Sequence, residues 1–89
     1  MSKRRKEEKS KTVEERISQG SSAESLLQSP VFSEAYESLE DKYINAWIAS
    51  NPSDEKHREQ CYVSLKVLSE IRLELESMIN SGKIAKQTI

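Results

Sequence analysis

Asp54, His57 and Cys61 are the residues whose types and spacing come closest to chemistry. On a helix, steps of three and four residues bring them to one face. There Cys61 could act as a thiolate with His57 as its base, or the three could begin a metal site. The rest of the chain completes neither arrangement. One histidine and one cysteine make half a zinc site, and no pattern supplies an oxyanion-binding group. A surface histidine in a helix first turn and a small buried cysteine account for the same residues. The pairs Glu37/Asp41, Glu55/Glu59 and Glu70/Glu74 have helical spacing, but 33% of the residues are charged, so a solvated acidic face explains them. Asp54 with Arg58, and Lys66 with Glu70, fit helix ion pairs worth a few tenths of a kcal/mol. Gly20 and Gly82 are the two glycines of the chain, too few for a phosphate-cradling loop. The sequence therefore predicts no enzyme, no metal and no cofactor, and points to binding.

The elements that must present a binding surface are helices. With 89 residues, two glycines and two prolines, one small domain with long uninterrupted helices is expected. Ser29-Pro30 is a start signal, a capping hydroxyl before a proline at the first helical position. The expected helix runs from Pro30 to about Ser50, with Phe32, Ala35, Tyr36, Leu39, Tyr43, Ala46 and Trp47 on one stripe. Asn51-Pro52 repeats the signal, and a second helix is expected from Pro52 to about Ser81. Gly82 is expected to leave it in the left-handed conformation, with 83–89 as a C-terminal tail. The short link folds these helices into an antiparallel hairpin. A short helix is expected over 22–28. Residues 1–21 read as a disordered charged tail, because after Met1 its only large apolar residues are Val13 and Ile17, and Gly20-Ser21-Ser22 is expected to end any helix there. The fold class is all-α, a hairpin domain over 22–82 that is oligomeric or partner-bound.

Charge divides the chain in the same way. Residues 1–16 carry seven basic and four acidic side chains, the remainder seven and eleven. The cluster Lys3, Arg4, Arg5 and Lys6 is the candidate nucleic-acid contact, although it is diluted by Glu7, Glu8, Glu14 and Glu15 and carries no aromatic for base stacking. The single cysteine fits a reducing compartment. The basic start is not followed by an apolar run as in a secretory signal, and no stretch approaches the roughly 18 apolar residues of a membrane span. The expected location is a cytoplasm, or an assembly made in one.

The aromatic stripe is expected to lie in the hairpin core, with Phe32, Leu39, Tyr43, Trp47, Leu65, Leu68 and Leu75 holding the two helices and Cys61 a small buried residue among them. Ile44 and Ile48 lie just off the stripe. The apolar face of the second long helix is wider than one partner helix needs. Ile44, Ile48, Val67, Ile71, Met78 and Ile79 are thus the candidate partner-binding residues. A hairpin alone has little core, so its copies are expected to pair, or it docks on a larger partner.

Residues 26–85 resemble small α-helical proteins from the head and structural gene clusters of tailed bacteriophages. The resemblance is carried by Leu26-Leu27-Gln28-Ser29-Pro30-Val31-Phe32 with Ala35, by Trp47, by Asp54, Arg58 and Glu59, and by Leu65-Lys66, Leu68, Leu75-Glu76-Ser77 and Gly82-Lys83-Ile84-Ala85. It implies a helical hairpin with a structural or assembly role in a virion, in the host cytoplasm or incorporated into the particle. The partners it implies are copies of the chain or another head or tail protein. A packaging accessory of small-terminase type, using the basic tail on nucleic acid, is the alternative; it predicts salt-sensitive DNA binding lost with residues 2–11. A small inhibitor of a host protein is a further one.

Overall fold

The computed structural model describes residues 11–88, and all of its regular structure is helical. The helices are α1 (Val13–Gln28), α2 (Pro30–Ala49) and α3 (Glu55–Gln87). None is long and apolar enough to cross a membrane.

Each boundary has a local cause. Thr12 is extended, its hydroxyl accepts from the Glu15 N–H at 3.1 Å, and the Glu15 carboxylate accepts from the Thr12 N–H at 2.9 Å. This capping box satisfies two free donors and starts α1. α1 stops at Ser29 because the residue before a proline is pushed out of the helical region; Ser29 has ψ 124°. The same serine caps α2, its hydroxyl accepting from the Phe32 N–H at 3.4 Å. Asn51 spends its side-chain oxygen on the Ser53 N–H and hydroxyl, at 3.0 and 2.8 Å. The cap of α3 falls instead to Asp54, which accepts from the His57 N–H at 3.2 Å.

Several expectations are corrected. The helix expected over 22–28 begins at Val13, so residues 13–21 are helical, and Gly20 lies inside the helix rather than ending it. The second long helix starts at Glu55, not Pro52, and continues to Gln87, so 83–87 are not a tail. Gly82 is helical, and no described glycine has a positive φ. Local punctuation misled at both glycines because their role is set by the other helix.

α3 has 33 residues, a length of about 50 Å. α1 lies against its C-terminal half and approaches it most extensively; α2 lies against its N-terminal half. α1 and α3 meet at their glycines. A Cβ added at Gly20 would sit 2.9 Å from the Met78 carbonyl oxygen and 3.2 Å from the Gly82 Cα. One added at Gly82 would sit 3.0 Å from the Arg16 carbonyl oxygen. Ala23 and Ala85 are buried beside this crossing. α2 meets α3 through larger groups. The Tyr36 hydroxyl donates to the Leu68 carbonyl, the Arg72 guanidinium lies 4.6 Å from the Tyr36 ring, and the Phe32 ring is 5.9 Å away. Further along, Arg58 lies 4.2 Å over Trp47. Positions on α3 thus fall in number as those on α2 rise.

The described chain measures 55 × 34 × 17 Å. Such a slab encloses little. Ala23, Tyr36, Cys61, Leu68 and Ala85 are its buried apolar residues. Of the expected core, Leu68 is buried, Phe32, Tyr43, Leu65 and Leu75 are half-buried, and Leu39 and Trp47 are exposed.

The capping box carries a pH dependence. The Glu15 carboxyl is held below its ordinary value of 4.5, chiefly by the Thr12 N–H and then by its hydroxyl. A depressed carboxyl contributes stability that is complete above the ordinary value and is lost as pH falls through the lowered one. Protection of the Glu15 and Arg16 amides, taken as exchange relative to the intrinsic rate at each pH, is expected to fall on acidification through that window. Glu15→Gln should remove the dependence.

Candidate partner interface

The candidate surface follows from where rotation along each helix carries the residues flanking the α2/α3 contact. At about 100° per residue, Ile44 and Ile48 lie about 80° and 120° round α2 from Tyr36. Arg58 and Tyr62 lie about 80° and 120° round α3 from Leu68, in the same sense. Because the α2/α3 contacts run in opposite directions, equal senses of rotation lead to the same side of the slab. Ile44, Ile48, Arg58 and Tyr62 therefore share one side, with Trp47 at the seam. Ile48 is 67% exposed, Tyr62 60%, Ile44 43% and Trp47 41%. The Arg58 guanidinium covers the Trp47 ring and also donates to the Ser50 hydroxyl at 3.1 Å. It is held by these groups rather than by the Asp54 pairing that the spacing suggested. Glu37 and Asp41 lie on the same side of α2 by the same count and are exposed, giving an acidic rim.

Val67 and Ile71 are also exposed, but they rotate the opposite way from Leu68 and lie on the other side of the slab. Met78 and Ile79 are half-buried. The Met78 carbonyl faces Gly20, and its residue lines the α1/α3 cleft with Arg16, Gln19 and Ser81. The six candidate partner-binding residues therefore do not form one surface. The excess width of the α3 face is partly explained by α1, which fills it at the C-terminal half. In the sequence Arg58 reads only as an ion-pair partner of Asp54 and as part of the family resemblance, and Tyr62 carries no signal of its own there. The two lie one turn apart on α3, but their side depends on the helix direction. Lys3, Arg4, Arg5 and Lys6 lie outside the described residues.

The groups that could do chemistry come near one another without forming a site. His57 Nε2 is 4.0 Å from the Cys61 sulfur, yet Cys61 is buried while His57 is exposed. Among the described residues, no group of three or more His, Cys, Asp or Glu is placed to hold a metal.

No family model matches the chain, and neither a curated protein nor a solved structure matches it.

Proposed function

We propose that the chain is a non-enzymatic structural or assembly protein that acts by helix-mediated binding. α2 and α3 serve as a hairpin that presents the Ile44–Trp47–Ile48–Arg58–Tyr62 side to another protein. The observation that carries this reading is the composition of that side. Aliphatic, aromatic and arginine side chains gathered in one patch are those that dominate protein interfaces, and the acidic rim favours a partner with basic residues beside its apolar anchors. The resemblance to small phage head proteins supplies the proposed setting, a virion or its assembly in the host cytoplasm, with another head or tail component as the partner.

The test is Ile44→Asp with Ile48→Asp in the full chain. Two carboxylates placed in an apolar contact are expected to weaken partner binding more than about 100-fold, with helicity by circular dichroism unchanged. Proteins captured from phage-infected cells by the native chain should be lost with the variant. Emission of Trp47, the single tryptophan, should move to the blue as the partner covers it. Equal capture by both chains would sink the reading, and lost helicity would place both isoleucines in the folding core.

A further inference from the structure

The back of α3, turned away from α2, carries a second pattern that goes beyond this docking role and uses a different face. Lys56, Val63, Val67 and Glu74 follow one another at steps of seven, four and seven residues. Counted round the helix they fall within about 40° of one line. Val63 and Val67 are 50% and 48% exposed, and a shallow groove beside them is lined by Lys56, Glu59, Gln60, Val63 and Ser64. α1 covers α3 where Met78, Gly82 and Ala85 lie, which leaves the stretch before Glu74 bare. Along the helix axis the stripe is centred at the level of residue 65, whose own side chain turns to the opposite face, toward α2.

We propose that this stripe pairs with the same stripe of a second copy, the two α3 helices running antiparallel about a two-fold axis that passes between Val63 and Val67. The order of charges carries the inference. Rotation about that axis sets Val63 against Val67 of the second copy, and Lys56 against its Glu74, at both ends of the contact. A parallel pairing would set Lys56 against Lys56 and Glu74 against Glu74, which is repulsive at both ends. A two-fold contact of this kind is self-complementary and closed, giving a dimer and not a fibre. It also pairs only the bare part of each α3, ending where α1 takes over the face.

Sedimentation equilibrium of the full chain tests this, over roughly 10 µM to 1 mM, the range suited to a few aliphatic side chains and two exposed ion pairs. A monomer–dimer equilibrium is expected. Lys56→Glu should weaken it about tenfold, since two attractions become two repulsions, and Lys56→Glu with Glu74→Lys should restore it. Glu74 also lines the cleft with Lys11 and Arg16, so the rescue, rather than the single Glu74 change, is decisive. The Ile44→Asp/Ile48→Asp chain should dimerise as the native one does, so this outcome is independent of partner capture. A monomer throughout the range, a dimer indifferent to Lys56→Glu, or a dimer lost only with the isoleucines would each overturn the proposal.

Discussion

Gly20→Leu is expected to separate α1 from α3 and destabilise the fold by about 3 kcal/mol, the upper part of the range for overpacking a close contact. Helix propensity alone argues the other way. Replacing a mid-helix glycine with alanine should gain about 1 kcal/mol, and because Gly20 does not have a positive φ, no backbone strain opposes the change. The opposition is steric. The first carbon of any side chain would lie 2.9 Å from the Met78 carbonyl oxygen, and a backbone atom in a helix cannot swing aside as a side-chain end can. Leucine adds three more carbons to that collision. A thermal melt followed by circular dichroism should show a fall of ten degrees or more, at roughly 4–8 °C per kcal/mol for a domain of this size. Gly20→Ala separates the two effects: a raised melting temperature would show that the helices part at little cost, contrary to the expectation. Gly82→Leu should act like Gly20→Leu, and the double change should cost less than the sum because both break one contact.

Tyr36→Ala is expected to cost about 3–4 kcal/mol, in the range for emptying a large buried aromatic site. Tyr36 is the one aromatic buried between α2 and α3. Its removal also leaves the Arg72 guanidinium without the ring beneath it, a contact worth about 0.5–1 kcal/mol. Tyr36→Phe keeps the ring and loses only the hydroxyl bond to the Leu68 carbonyl, so it should cost about 1 kcal/mol. Urea denaturation of the three chains distinguishes the roles. A phenylalanine variant as unstable as the alanine variant would mean that the hydroxyl, not the ring, holds the helices together.

How much of this was legible in the sequence depends on how far each cause reaches. The Ser29-Pro30 junction is local, and hydroxyl followed by proline announces it. Thr12 and Glu15 are equally local, a hydroxyl and a carboxylate three residues apart, yet the signal was hidden by the charged segment around it. At the second junction two residues could cap, and Asn51 was displaced because its oxygen is taken by Ser53. The glycines were not legible, since Gly20 is explained by a residue 62 positions away. The candidate surface divides in the same manner. Ile44 and Ile48 follow from spacing on one helix. The company of Arg58 and Tyr62, and the separation of Val67 and Ile71, require knowing which way α3 runs past α2. Met78 and Ile79 were assigned outward because α1 was not expected to extend back to Val13.

Ser29 is the single residue between α1 and α2, and it sets their relative phase. One residue inserted there would have to loop out of a link whose two flanking helices are both packed on α3, or push α2 out of place and carry Tyr36 off Leu68. Side-chain identity at this junction is held by a cap worth about 1 kcal/mol, whereas chain length is held by every contact that α2 makes. Variation in the chain should therefore be permissive in spelling at this point and intolerant in count.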